Sequence, residues 1–159
     1  MNLLADMIAG WAFTRSESHE ILASLSDEQL QFQPTGAKWR PLYYQFGCMA
    51  RTQLVYAAAV ESGVMDYSLF SSSELPSKTA IQDGAGLAAL LNEANKHWLR
   101  VLKSRAAEDA IRWPDHTRSV ARHIGSLAEH ERLHHGQIIG YFSTAGINLP
   151  AGFKGNWAL

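Results

Sequence analysis

The sequence predicts an all-α protein, a four-helix bundle with one long crossover connection and an ordered C-terminal tail. Four segments repeat apolar residues at the three- and four-residue spacing of helices buried on one side. Residues typical of loops collect between these segments, and no internal repeat or shift in composition divides the chain. Since 159 residues suffice for one well-filled core and hardly for two, we expect a single domain over residues 1–159.

The first predicted helix covers about residues 2–25. Its stripe consists of Leu4, Ile8, Trp11 (or Ala12), Arg15, Ser18 (or His19) and Leu22, and it is interrupted in the middle. Ser26 and Gln29 then have the spacing of a capping box, which predicts one or two further helical turns. Pro34, Gly36 and Pro41 indicate a loop that leads into the second helix.

The second helix is predicted over residues 41–62 and the third over 84–107, where the segment IRWPDHT breaks it. The stripe of the second helix is Leu42, Phe46, Met49, Gln53, Tyr56 and Val60. Residues 63–84 are irregular and rich in Ser, Gly and Pro. This connection is long enough to cross the bundle, so the two helices it joins are expected to run parallel.

The fourth helix is predicted over residues 119–145, with Ser119 as N-cap and Gly146 as the C-terminal stop. The tail beyond it shows no helical period but contains Phe153 and Trp157. Aromatic side chains in such a tail are expected to fold back on the bundle.

Composition and charge exclude several classes of protein. The chain is 47% hydrophobic and 18% charged, which is typical of a globular protein and not of a disordered one. A net charge of -1 argues against a nucleic-acid or anionic-membrane partner bound by bulk electrostatics. The single cysteine excludes an internal disulfide, and the N-terminus resembles neither a signal peptide nor a membrane span. We therefore expect a cytoplasmic protein.

Two histidines interrupt the apolar stripe of the fourth helix. That stripe is Val120, Ile124, Leu127, His130, His134, Ile138, Tyr141 and Ala145. His130 and His134 are spaced i, i+4, by which one helix can offer two imidazoles to one metal ion. The alternative is a pair of buried, hydrogen-bonded histidines. His135 lies about 100° further round the helix and is expected at the groove edge or in solvent.

The segment HERLHHGQIIGYFSTAGINLP, residues 130–150, resembles the last helix of the DinB-like (damage-inducible) four-helix-bundle superfamily. Its most specific residues are His130, His134, Gly136 and Gln137, and KWRPLYYQFGCMARTQ resembles the family's tryptophan-led start of the second helix at Trp39. In that family a histidine about nine residues after the tryptophan is the third metal ligand. The corresponding residue here is Cys48, so the resemblance implies a metal site formed by Cys48, His130 and His134.

The resemblance also implies a reaction class. Related enzymes include transferases and isomerases that depend on low-molecular-weight thiols such as bacillithiol or mycothiol. It therefore implies a divalent metal, zinc or alternatively nickel, that activates a thiol or water for a transferase or hydrolase reaction. A small-molecule substrate, a thiol cosubstrate and a homodimer are the implied partners. Because Cys48 departs from the family's histidine, the alternative is a non-catalytic bundle that binds a small ligand or partner protein, with Cys48 packed in a degenerate site or serving as an oxidation switch.

Helical spacing places further side chains near these ligands. The candidate substrate-binding residues are Gln45, Arg51, Thr52, Gln137 and Tyr141. Arg51 could clamp a substrate carboxylate or lie on the surface, and Gln137 could orient a ligand or bond the backbone.

Four other residues also have candidate roles. Glu131 could accept a hydrogen bond from a ligating imidazole or pair with His135. His97 and Trp98 could form a wall of the cavity, although Trp98 also suits the core. His19 is the substitute third ligand if Cys48 does not serve.

Overall fold

The computed structural model describes residues 2–36 and 38–158, most of them in helices. In chain order the elements are α1 (Leu3–Ala23), α2 (Asp27–Leu30), α3 (Leu42–Ser62), a 3-10 turn (Tyr67–Phe70), α4 (Gly84–Leu102), β1 (Ala110–Arg112), β2 (Thr117–Ser119), α5 (Val120–Ala145) and α6 (Ala151–Trp157). Within these ranges, no helix combines the length and the apolarity needed to cross a membrane.

The four long helices α1, α3, α4 and α5 pack side by side, with α3 against α4 and α5, and α1 against α5 and α4. Leu42 and Leu87, near the starts of α3 and α4, belong to one apolar cluster. Near the ends of the same helices, Arg100 donates to Glu61. The two helices therefore run parallel, and the predicted crossover between them is confirmed. We call residues 63–83 the crossover.

Most of the predicted helix ends are confirmed by their caps. Ser119 Oγ accepts a hydrogen bond from the backbone N–H of Arg122, and Gly146 adopts the left-handed conformation, with φ of 68°. Ser26 and Gln29 form the reciprocal hydrogen bonds of a capping box around α2. These ends depend on contacts between neighbours in sequence, which explains why they could be predicted.

The third helix and the segment after it differ from the prediction. The α4 helix ends at Leu102 rather than at residue 107, and β1 and β2 form an antiparallel hairpin that pairs Ile111 with Arg118. The fold is therefore mostly helical rather than all-α. Ile111 is buried between two exposed neighbours. Arg112 also exchanges backbone hydrogen bonds with Gly63 and Met65 of the crossover, so a contact distant in sequence stabilises the strand.

The C-terminal tail folds back on the bundle, as predicted, but it does so as the helix α6. Phe153 is buried in the apolar cluster at that end of the bundle. The indole N–H of Trp157 donates to Glu17 Oε1 at 2.7 Å, and the backbone N–H of Phe153 donates to Glu20 at 3.1 Å. Carboxylates of α1 thus bind the tail, which its own periodicity does not indicate.

A layer of buried polar side chains separates two apolar clusters. One cluster includes Trp11, Trp98 and Ile124, and the other includes Phe46 and Ile138. Between them lie Arg15, Ser18, Gln53, Glu131 and His135, each no more than 3% exposed. The polar residues that interrupt the stripe of α1 therefore face polar residues of α3 and α5.

A buried ion pair lies at the centre of this layer. Arg15 Nη2 lies 2.8 Å from Glu131 Oε2 and also donates to Gln53 Oε1 at 2.9 Å. The hydroxyl of Ser18 donates to Glu131 Oε1 and lies 2.8 Å from His135 Nε2. Since that hydroxyl proton is used by Glu131, His135 Nε2–H donates to Ser18. Burial raises the pKa of the Glu131 carboxyl, while Arg15 and Ser18 oppose that rise.

The ion pair leads to a prediction about stability. Glu131→Gln leaves the Arg15 charge buried and unpaired, and should lower the free energy of unfolding by about 3–5 kcal/mol in urea denaturation. Adding Arg15→Met should recover a large part of that loss because the unpaired charge is then gone. The control Glu93→Gln breaks an exposed ion pair with Lys96 and should cost less than about 1 kcal/mol. A loss from Glu131→Gln as small as the control's would contradict the prediction.

Candidate metal centre

Cys48, on α3, lies opposite His130 and His134, on α5. The potential ligand atoms of these three residues all lie within 4.8 Å of one another. Cys48 Sγ is 4.0 Å from His130 Nε2, and the centroids of the two imidazole rings are 4.6 Å apart. The three side chains line a cavity of about 460 Å³, which we call the ligand cavity. The structure thus brings together the three residues that the sequence singled out.

A chain of hydrogen bonds orients the ring of His134. Its Nδ1–H donates to Gln45 Oε1 at 2.7 Å, and the amide N–H of Gln45 donates to the Tyr141 hydroxyl at 3.1 Å. That hydroxyl in turn donates to the backbone carbonyl of Arg40 at 2.6 Å. Because Nδ1 carries the proton, Nε2 of His134 has a free lone pair. Metal-binding histidines are commonly oriented in this way.

His130 has a different environment. Its Nε2 faces Cys48 and lies 3.4 Å from Thr52 Oγ1. Its Nδ1 is buried and has no hydrogen-bond partner among residues 2–36 and 38–158. Nothing in that part of the chain therefore fixes which nitrogen of His130 carries the proton.

Both imidazoles are neutral at physiological pH. Burial, together with the charge of Lys78, lowers the pKa of His130 to about 4. Burial and the proximity of His130 lower the pKa of His134 to about 3. An imidazole must be unprotonated to bind a metal, so both rings are in the form that can ligate.

Four of the five candidate substrate-binding residues lie at the ligand cavity or beside its histidines. Gln45 and Tyr141 contact the cavity, but their hydrogen bonds hold His134. Gln137 lines the ligand cavity, and Thr52 lies beside His130.

Arg51 does not point a free guanidinium into the site. Its five N–H groups donate to carbonyl oxygens of the crossover, those of Leu69, Phe70, Ser72, Leu75 and Pro76. The side chain is only 5% exposed, so neither predicted role, carboxylate clamp or surface arginine, describes it. It holds the crossover against α3. A loop so distant in sequence could not be assigned to Arg51 from helical spacing.

Glu131 and His135 face α1 rather than the ligand cavity. His135 is 3% exposed, so the prediction that it reaches the groove edge or solvent was wrong. Glu131 contacts Arg15 and Ser18, and it connects to His135 through Ser18. Both side chains are buried because α1 packs against this side of α5.

Three further candidates lie elsewhere. Trp98 is fully buried in the apolar core, and Nε2 of His97 lies 3.6 Å from Oε2 of Glu61. His19 lines a separate cavity near α2 and the start of α4, so the structure does not support it as a substitute ligand.

Sequence reasoning missed much of the cavity wall. Lys38, Trp39, Arg40, Tyr44 and Leu133 all line the ligand cavity. Tyr44 could have been found, since it precedes Cys48 by one helical turn. The ring of Trp39 lies edge-on to that of Tyr141, with centroids 5.3 Å apart, and the loop before α3 decides that position.

Comparison with known proteins agrees with this fold. A DinB-like protein from Bacillus cereus ATCC 10987 has a TM-score of 0.73 and 15% identity, over 91% of this chain and 94% of that one. The DinB-like protein YjoA from Bacillus subtilis has a TM-score of 0.70 and 15% identity, over 91% and 96% of the two chains. At such identity the likeness establishes the fold alone.

The sequence itself establishes the family. No curated protein matches it significantly. A family model for the DinB superfamily, however, matches residues 11–138, which is most of the chain. The predicted membership of the DinB-like superfamily is thereby confirmed. The chain belongs to the DinB superfamily.

Proposed function

We propose that this chain is a metal-dependent enzyme that acts on a thiol, with Cys48, His130 and His134 as the metal ligands. The observation that carries the proposal is the grouping of three ligand atoms within 4.8 Å on the wall of a cavity. Two neutral imidazoles and a thiolate suit zinc best, and nickel is the alternative. Transferase or hydrolase chemistry on a small-molecule substrate follows from the family resemblance.

The spacing of Cys48 and His130 fits a shared metal ion after a small contraction. In a tetrahedral zinc site with bonds of about 2.3 Å to sulfur and about 2.0 Å to nitrogen, those two atoms are about 3.5 Å apart. Cys48 Sγ and His130 Nε2 are 4.0 Å apart. Since the side chain of His130 has few polar contacts, a small rotation of the ring would close the difference.

The protein's own residues would prepare the site for thiol chemistry. A bound divalent metal would supply the positive charge that lowers the pKa of a coordinated thiol or water. Gln45 and Tyr141 keep Nε2 of His134 free of a proton. Trp39, Tyr44 and Leu133 contribute aromatic and aliphatic groups to the cavity wall.

A second candidate is a bundle that binds a small ligand without catalysis. Two observations favour it. Cys48 replaces the family's histidine, and Nδ1 of His130 has no orienting partner within the described ranges, whereas His134 has one. The cavity would then bind its ligand without a metal, and Cys48 would pack in the wall or respond to oxidants. Homodimerisation and a cytoplasmic location are further proposals, which rest on the family resemblance and on the single cysteine.

Metal content tests the ligand set. Purified without a tag, the wild type should contain close to one equivalent of zinc or nickel by elemental mass spectrometry. Cys48→Ala and His134→Ala should each lose it, because two ligands rarely hold a structural or catalytic metal ion. The control His97→Ala removes a half-buried histidine outside the site and should retain the metal.

Circular dichroism must show that each variant is folded. Metal lost in His134→Ala but kept in Cys48→Ala would contradict the role of the cysteine. A wild type that stays metal-free after reconstitution would overturn the enzyme proposal and favour the ligand-binding bundle.

A second prediction concerns Gln45, the partner of His134. Gln45→Leu removes the acceptor for Nδ1–H, and metal affinity in a competition titration with a chelator should fall by about 10- to 100-fold. Gln45→Glu keeps an acceptor oxygen and should retain most of the affinity. Tyr141→Phe, one hydrogen bond further away, should have a smaller effect than Gln45→Leu. Equal affinities for all four proteins would show that the chain of hydrogen bonds does not support metal binding.

A further inference from the structure

We propose that the thiol bound at this centre is an anion carrying one or more carboxylates, and that Lys78 of the crossover binds its negative charge. This inference rests on the proposed function for the thiol and the metal. It adds the chemical class of the substrate and a residue that selects it.

The charges around the site support an anionic ligand. The ligand cavity borders a second cavity of about 590 Å³, which we call the crossover cavity, and Tyr44 lines both. Lys38 and Arg40 line the first cavity, and Lys78 lines the second. Among the described residues that line either cavity, none has a carboxylate. In a chain with a net charge of -1, such a local excess of positive charge is not a general property of the surface.

These cations are available to bind an anionic ligand. Within the described ranges, no salt bridge involves Lys38, Arg40 or Lys78. Arg51 also lines the crossover cavity, but its donors are occupied by backbone carbonyls. Lys78 is therefore the cation of the crossover cavity that can bind a ligand.

The backbone places Lys78 close to the candidate ligands. Gly47 immediately precedes Cys48, and a Cβ atom built on it would lie 2.3 Å from the carbonyl oxygen of Lys78. The crossover thus lies directly on α3 at this point, which only a glycine permits. The ammonium group of Lys78 lies 5.7 Å from the centroid of the Tyr44 ring, at the boundary between the two cavities. A thiol at Cys48, His130 and His134 could therefore extend its carboxylate toward Lys78.

The crossover cavity offers further donors to a carboxylate. Its wall includes the hydroxyl-bearing residues Ser71, Ser72, Ser73, Ser77 and Thr79. Hydroxyl groups donate to carboxylate oxygens as readily as they bind water, so they can complete the solvation of an anion bound by Lys78.

A pair of small thiols tests the inference. Mercaptosuccinate carries two carboxylates, whereas thioglycerol carries two uncharged hydroxyl groups in their place. In isothermal titration calorimetry of the metal-loaded wild type, mercaptosuccinate should bind at least about tenfold more tightly, with an affinity that falls as salt is added. Lys78→Met should abolish most of that preference, because it should weaken mercaptosuccinate binding much more than thioglycerol binding. The control Lys96→Met removes an exposed lysine on α4 and should change neither.

A third probe separates this inference from the proposed function. Succinate, which has no thiol, should bind the metal-free wild type weakly and Lys78→Met at least about fivefold more weakly. That result would support the anion site even if metal content overturned the enzyme proposal. Equal binding of the two thiols to the metal-loaded wild type, or a preference unaffected by Lys78→Met, would overturn the inference and leave the metal site standing. If neither thiol bound the metal-loaded protein, the inference would also be overturned.

Discussion

The ion pair between Arg15 and Glu131 sets the rotation of α5, on which the candidate metal centre depends. Neither charge can leave its partner without a large cost in free energy, because both lie in the core. Successive residues of a helix are about 100° apart, so a helix that turns Glu131 toward α1 turns His130 toward α3. The same geometry directs His135 to Ser18 on one side of α5 and His134 to Gln45 on the other. One buried contact thereby sorts three neighbouring histidines into two environments.

On the side of α5 that faces α3, burial disfavours the protonated form of the imidazoles. The two rings are therefore neutral, which is the form that binds a metal. Burial is the largest cause of the lowered pKa of both His130 and His134. Gln45 then selects the tautomer of His134, whereas His130 has no such partner within the described part of the chain. The oriented ring of His134 supports the hypothesis of an active enzyme. The lack of an orienting partner for His130 and the presence of Cys48 in place of the family's histidine support the hypothesis of a degenerate site.

The crossover lines the cavity next to the candidate metal centre. Arg51 donates hydrogen bonds to five backbone carbonyl groups of the crossover. Gly47 has no side chain, so the backbone of the crossover can lie against α3. These two residues place Lys78 beside the candidate ligands without any regular secondary structure in that part of the loop. A buried arginine that organises backbone in this way serves the site through the shape of the cavity.

The sequence by itself determined the parts of this protein that depend on local spacing. Periodicity located the four long helices, the caps located most of their ends, and the i, i+4 spacing on an apolar stripe singled out His130 and His134. Family resemblance added Cys48. Only the tertiary structure decided which way polar residues face when either side of a helix is buried, as with His135. It also decided the role of Arg51, the β-hairpin and the place of Lys78. Each of these depends on contacts between segments distant in sequence, for which spacing along one helix contains no information.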